Sequence, residues 1–304
     1  MSTANKLNKL LNTKQEIKQA IKNKGVDIDD STKFADYPSK IGSIETSSEI
    51  SYYETLWNAR TVNNTNMEGA FAYSRALELD ISKINTSNVT DMSYMFYDCK
   101  SLIELDVSNF NTSTVKNMTY MFAYCYDLTS LDVSNFNTSN VISMSNMFYN
   151  CKSLTTLDVS NFNTSKATNV NNMFYACEKL TKIIGLNNWD ISKITNMTST
   201  FNGCKTLIEL DVSNWDISKI TASYYLGNTF DNCTSLVDFY PPKNISTNMS
   251  VEKSTALSHD SLMRIINNLI TVASTKTLTL GATNLAKLTD EEKAIATGKG
   301  WTVK

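Results

Sequence analysis

The sequence predicts an α/β repeat: a solenoid of parallel short strands plus helices, with a period near 26 and a small N-terminal helical attachment segment. Three observations carry this reading. The chain repeats itself, with SLIELDVSNFNTSTV, DLTSLDVSNFNTSNV and SLTTLDVSNFNTSKA running through Asp106, Asp132 and Asp158, each preceded by a block such as MSYMFYDCK, MTYMFAYCY or MSNMFYNCK. All six cysteines (Cys99, Cys125, Cys151, Cys177, Cys204 and Cys233) occupy one position of that repeat, at spacings of 26, 26, 26, 27 and 29. Within a unit, Leu128, Leu131, Val133 and Phe136 give L-x-x-L-x-V-x-x-F. That pattern, at a period inside the range of about 20–29 residues, is the first half of a leucine-rich repeat.

Taken in chain order, the first element is a short helix. Leu7, Leu10, Leu11, Ile17 and Ile21 stand at helical spacing among Lys6, Lys9, Lys14, Lys18, Lys22 and Lys24, and Gly25 suits a C-cap. Phe34, Tyr37, Pro38 and Ile41 then provide a small tuck, too few apolar groups for a domain. A degenerate repeat runs from Phe71 to Val89, with Ser74 in the cysteine position. In each full repeat, the alternation at Leu131 and Val133 predicts a strand with one buried face. Val115, Met118, Met121, Phe122 and Cys125 recur at three- and four-residue steps, which predicts a helix. One such unit cannot bury its own apolar face, so neighbours must stack.

The last residues change pattern. Ser258 is placed to cap a helix containing Leu262, Ile265, Ile266 and Leu269, and Thr277 to Leu280 alternates like a strand that stops at Gly281. Thr289 with Glu292 reads as a capping box, the helix after it ends near Gly298 or Gly300, and Trp301 to Val303 supplies an edge strand. The expected organisation is therefore an attachment or oligomerisation segment over 1–45, a linker and N-terminal cap over 46–66, the solenoid over 67–245 and atypical capping coils over 246–304.

Composition limits the function. The 304 residues are 41% apolar and 19% charged with net charge −2, enough for a sizeable core and without the clustered bases that nucleic acid or an anionic membrane requires. No apolar run approaches the roughly 18 residues of a membrane span. Met1 to Leu11 lacks the apolar core of a signal peptide, so the expectation is a protein that stays where it is made unless assembled into something larger.

No metal, cofactor or catalytic centre is expected. Each cysteine stands alone and His259 is the only histidine, so zinc pairing is missing and the thiols read as a buried, reduced column. Asp80, Asp106, Asp132, Asp158 and Asp211 form an outward acidic column that Gly185 interrupts; hydrogen bonds to backbone and to Ser108, Ser134 and Ser160 are the expected compensation for their mutual repulsion. Phe110, Phe136, Phe162, Trp189 and Trp215 read as a core spine. Tyr94 and Tyr120, five residues before a cysteine, and Tyr97, Tyr149 and Tyr175, two before, form the candidate exposed aromatic stripe for binding. The Asn-Thr-Ser triplets at Asn85, Asn111, Asn137 and Asn163 read as turns, although each is formally a glycosylation sequon.

The MFYxCxSLTxLDVSNFNTSNV blocks, over about Phe71 to Pro241, resemble the BspA-like leucine-rich repeats of bacterial surface proteins, which implies adhesion or protein contact. The run KQEIKQAIKNKGVDIDDSTKFADYPSKIGSI resembles a segment near the start of bacteriophage tail, fibre and other virion proteins. KTLTLGATNLAKLTDEEKAIATGKGWTVK resembles the ends of leucine-rich proteins of phages and their hosts. Together they imply a non-catalytic virion structural protein, in tail, fibre or head appendage, attached to other virion proteins through residues 1–45. It is expected to be multimeric in the particle, to bind a host surface protein or polysaccharide through the solenoid, and neither to bind nucleic acid nor to insert into membrane. A BspA-like surface adhesin and a polysaccharide-cleaving appendage enzyme are the alternatives.

Overall fold

The computed structural model describes residues 65–218, 226 and 228–304. These belong to the second of two units into which the chain divides, Thr65–Lys304. The helix expected over Leu7–Ile21, the tuck around Phe34 and the attachment role of 1–45 lie outside the described residues.

The repeats stack as coils joined by parallel backbone pairing. Strand β1 (Thr156–Asp158) pairs with β2 (Lys182–Ile184), and β3 (Glu209–Asp211) with β4 (Asp238–Tyr240), residue for equivalent residue of the next coil. Earlier coils continue the same line with single bonds, such as the Ile103 N–H to the Leu77 carbonyl at 2.9 Å. On another side of the coils, parallel bridges run from Asn66 through Asp91, Asn117, Ser143 and Asn169 to Asn196. Tandem units with short parallel strands and few helices are what the chain displays, and this is compatible with a repeat solenoid.

The expected helix in each repeat is not there. Among the described residues before His259 there is no α-helix: the Met-Phe-Cys segments are successive turns, and Leu186–Asn188 is a single 3-10 turn. In the coil ending at Cys125, the N–H groups of Met118, Tyr120, Phe122 and Tyr124 donate to carbonyls of the next coil at Ser143, Ser145, Met147 and Tyr149, at 2.7–3.0 Å. The alternate N–H groups of Met121, Ala123 and Cys125 close turns on carbonyls three residues back, at 3.2–3.3 Å. A helix would use every one of these donors within itself. Here half of them hold the stack together, and the backbone turns left-handed twice per coil, at Tyr120 and Tyr124 and at equivalents such as Asn146 and Asn150. The three- and four-residue apolar spacing identified the right buried residues, because Met118, Met121, Phe122 and Cys125 are fully buried. It assigned them the wrong backbone.

The core is a set of columns running from coil to coil. Phe71, Phe96, Phe122, Phe148, Phe174, Phe201 and Phe230 stack with centroids 5.4–5.9 Å apart. Phe110, Phe136, Phe162, Trp189 and Trp215 are buried as a second column beside them. All six cysteines are free and buried. Each thiol donates to the carbonyl of the phenylalanine in the preceding coil, as Cys151 does to Phe122 at 3.1 Å and Cys125 to Phe96 at 3.2 Å. Burial pushes the Cys177 and Cys233 thiols up to about 12 and raises Cys151 and Cys204 as well.

The repeated Asn and Thr are connectors between coils. The Asn135 side-chain amide reaches the carbonyls of Val107, Ser108 and Phe110 in the preceding coil at 2.9, 3.3 and 2.9 Å, and Asn109 and Asn161 do the same one coil away. The buried Thr112 hydroxyl donates to the Asn137 carbonyl and accepts from its N–H. In the Asn-Thr-Ser triplets the asparagine oxygen accepts the serine N–H, as Asn111 does from Ser113 at 3.0 Å, so the triplet is a turn with its threonine turned into the stack. Replacing Asn135 by Ala leaves those carbonyls without their donor and is expected to cost about 1–3 kcal/mol. Asn135→Asp, similar in size but without the donors, should cost no less; a urea midpoint that either change leaves in place contradicts the connector role.

The C-terminal region carries the helices. After β5 (Met249–Ser250), α1 (His259–Asn268) starts at Ser258, whose hydroxyl accepts the Ser261 N–H. Strand β6 (Lys276–Thr279) pairs between β5 and β7 (Trp301–Val303), with α2 (Gly281–Leu285) and α3 (Asp290–Gly298) between β6 and β7. The Thr289–Glu292 capping box is present, and Lys299 donates to the last carbonyls of α1, Ile266 and Asn267, at 3.0 Å.

Candidate binding surface

The turn-rich side of the coils brings the five singled-out tyrosines into one cluster. Tyr94 stacks on Tyr120 and Tyr149 on Tyr175, both at 4.9 Å, while Tyr97 makes edge contacts with Tyr94 and Tyr120 at 5.3 and 5.9 Å. Tyr120 and Tyr149 link the two halves at 6.5 Å. Three further rings belong to the same surface. Tyr73 packs edge-on against Tyr97, Tyr124 joins Tyr97 to Tyr149, and Tyr126 packs edge-on against Tyr124. The sequence offered a signal for them, since Tyr124 and Tyr126 flank Cys125 and Tyr73 precedes Ser74, the cysteine equivalent. Tyr73 is 57% and Tyr94 36% exposed; the others are half-buried.

Four of these tyrosines stand where the backbone is left-handed: Tyr73, Tyr94, Tyr120 and Tyr124, with φ between 57° and 66°. The equivalent positions in later coils carry Asn146, Asn150, Asn172, Ala176, Ser199, Gly203 and Asn232. A bulky side chain in this region costs roughly 1–2 kcal/mol, and Asn or Gly costs less. A ring–ring pair returns about 0.5–1.5 kcal/mol. The two terms nearly cancel, so chain stability gives little reason for tyrosine there.

Desolvation, then neighbouring tyrosines, raises the Tyr97 and Tyr120 hydroxyls and pushes Tyr149 up to about 12. All three therefore remain hydrogen-bond donors at neutral pH. Bases line one margin: Lys100 and Lys152 lie over the Tyr126 ring at 5.8 and 5.1 Å, Arg75 and Lys100 both pair with Asp98, and Lys205 with Glu178.

The acidic column lies on the strand side. Asp106, Asp132 and Asp158 are exposed and Asp211 half-buried. Each accepts the N–H of the serine two residues on, Ser108, Ser134, Ser160 and Ser213, at 2.8–3.0 Å. The interruption is not Gly185. The residue in register with Asp158 is Ile184, and Gly185 follows it against Ser160. Among the described residues no group of three His, Cys, Asp or Glu is placed to hold a metal ion. His259, on α1, meets Glu292 of α3 at 2.8 Å and ties the two helices.

Hydrogen bonds from the serines hold Asp106, Asp132 and Asp158 below the ordinary carboxylate value, against a smaller upward push from the neighbouring aspartate on Asp132 and Asp158. A carboxyl held low in the folded state contributes stability above its unfolded pKa and loses it as pH falls through the folded one. Thermal midpoints should therefore decline on acidification below about pH 5. Asp106→Asn, Asp132→Asn and Asp158→Asn combined should shallow that decline and lower the neutral-pH midpoint by the carboxylate contribution they remove. An identical acid limb in the variant contradicts the assignment.

Fold and surface together define a tandem-repeat chain of parallel stacked coils with a tyrosine face. The family model described as "Mycoplasma protein of unknown function, DUF285" matches residues 43–156 and again, in tandem, 127–240. The chain belongs to that family, which agrees with the BspA-like character of its repeats. No curated protein and no solved structure matches it. Among the described residues no helix is long and apolar enough to cross a membrane.

Proposed function

We propose that this is a non-catalytic leucine-rich-repeat solenoid that acts by presenting a contact surface, and that it does so as a structural protein of a bacteriophage particle. The tyrosine face carries the first part. It is a continuous patch of amphipathic rings, partly set on backbone that disfavours them, and tyrosine supplies contact area at low entropic cost. The second part is supported by the resemblance of the segment Lys14–Ile44 to one near the start of virion proteins, and of Lys276–Lys304 to the ends of leucine-rich proteins of phages and their hosts. In this reading residues 1–45 dock onto other virion proteins, and the solenoid meets further virion proteins or a host surface protein or polysaccharide. Many modest contacts, multiplied over copies, supply the affinity. No nucleic-acid contact and no membrane insertion are involved.

A bacterial surface adhesin is the competing reading, favoured by the BspA-like repeats. An antibody against the coils, followed by electron microscopy, separates the two. Label on purified particles is the expected result, and its place on head, neck or tail tip identifies the appendage. Label confined to bacterial surfaces overturns the virion reading in favour of the adhesin.

A further inference from the structure

Within the tyrosine face, two flat pairs differ from every other ring contact in the chemistry they allow. Tyr94 on Tyr120 and Tyr149 on Tyr175 lie at 4.9 Å with interplanar angles of 13° and 6°. Each pair joins the same repeat position of neighbouring coils, five residues before the cysteine in the first pair and two before it in the second. Equivalent side chains on stacked coils point the same way. The two hydroxyls of a pair are therefore neighbours, and so are the ring carbons beside them. The other contacts are edge-on or tilted: Tyr97 meets Tyr124 at 81° and Tyr120 at 75°, and Tyr124 meets Tyr149 at 60°. There a C–H edge of one ring is turned toward the face of the next.

We propose that the two flat pairs are sites of oxidative cross-linking, where a peroxide acting through a haem peroxidase joins Tyr94 to Tyr120 and Tyr149 to Tyr175 by a carbon–carbon bond. Each ring gives up one electron, and its hydroxyl proton passes to water. The unpaired electron spreads onto the carbons beside the oxygen, and two such radicals combine in a bond between the coils. The hydrogens on the joined carbons leave as protons while protons return to both oxygens, so two phenols remain. In sum the chain loses two hydrogen atoms, and one hydrogen peroxide takes them and becomes two waters.

The placement of the rings supports this. Tyr94 is 36% exposed and Tyr120, Tyr149 and Tyr175 are half-buried, so an oxidant acting from solvent reaches the face. The phenylalanine column behind it stacks as closely, but it is buried and has no hydroxyl to lose. Tyr94 and Tyr120 also stand on left-handed backbone, at a cost that ring contact does little more than offset. A covalent tie between coils gives those positions a use that the asparagines of later coils lack. None of this depends on what the face touches or on membership of a particle.

The full chain, kept dilute, is treated with a haem peroxidase and limiting hydrogen peroxide, then weighed intact and mapped by peptide mass spectrometry. The expected result is a loss of two hydrogen atoms per link, with Tyr94 joined to Tyr120 and Tyr149 to Tyr175 within one chain. Tyr94→Phe and Tyr175→Phe keep the stacked rings and should each abolish one link, whereas Tyr97→Phe should leave both. The linked chain should also unfold at a higher urea concentration, because a cross-link restricts the unfolded chain. The inference is overturned by no link, by links that fall on Tyr97 or Tyr124 instead, or by links only between chains. Equal yields of the same pairs from the urea-unfolded chain, or a urea midpoint unmoved by linking, overturn it as well.

Discussion

Phe148→Ala is expected to destabilise the protein by about 3–5 kcal/mol, as for other fully buried aromatic truncations. The ring is buried on all sides and stacks on Phe122 and Phe174 at 5.7 Å each. Its backbone carries the stack too: the N–H donates to the Met173 carbonyl, and the carbonyl accepts the Cys177 thiol. A cavity here touches the interfaces on both sides of one coil. In an array where each unit contacts only its neighbours, both interface terms weaken together. Urea denaturation followed by far-ultraviolet circular dichroism measures the loss. A change below about 1 kcal/mol, the level of an ordinary surface substitution, would mean that the phenylalanine column is not the core.

Gly185→Ala is the second large effect, and it acts through the backbone. A Cβ at this position would lie 2.3 Å from the Ser160 Cα and 2.5 Å from its N, and the residue has φ +92°. The obstacle is backbone of the neighbouring coil, which cannot rotate aside as a side chain would. Strain from the positive φ, roughly 1–2 kcal/mol, adds to an overpacking cost of about 1–3 kcal/mol. The expected total is near 3 kcal/mol. Gly298→Ala provides the contrast: nothing lies within 4 Å of its added Cβ, φ is not positive, and it ends α3. That change should be neutral or stabilising by a few tenths of a kcal/mol. Equal losses at the two glycines would contradict the close approach of the coils at Ser160.

Much of the scaffold could be read from the repeat. The buried columns of Met, Phe, Cys and the Phe/Trp spine were legible because burial follows spacing, and spacing is fixed whichever backbone delivers it. The capped helix from Ser258 and the Thr289–Glu292 box were legible because capping is local chemistry. The conformation of the Met-Phe-Cys segment was not. Residues three and four apart converge in successive turns as well as in a helix, and periodicity alone does not separate the two. The distinguishing signal was the recurrence of Asn, Asp or Gly five and one residues before the cysteine, at Asp98, Asn146, Asn150, Gly203 and Asn232, all with positive φ. Tyrosine at the same positions, Tyr94, Tyr120 and Tyr124, hid that signal in the early coils. Ile184 could have been found by counting, since it stands 26 residues after Asp158 and pairs with it; the extra residue, Gly185, follows it and lengthens the spacing of later positions such as Phe162 and Trp189 to 27. For the site, the sequence supplied the residue type and the spacing of Tyr94, Tyr97, Tyr120, Tyr149 and Tyr175. It could not supply their mutual stacking, which depends on how far apart the coils sit.

The central claim is that the repeats form one continuous stack whose interior is sealed, coil after coil, behind the tyrosine face. Thiol reactivity reads this directly, because one cysteine marks each of six successive coils and all are buried. The protein is held at neutral pH with a small thiol reagent, and modification is counted by intact mass, first in native buffer and then in denaturant. The predicted result is no labelling of the native protein over a time in which the denatured chain takes up six groups, one per cysteine, with all sites becoming reactive at the same urea concentration. Rapid native labelling of any of Cys125, Cys151 or Cys177, in the middle of the stack, would contradict it.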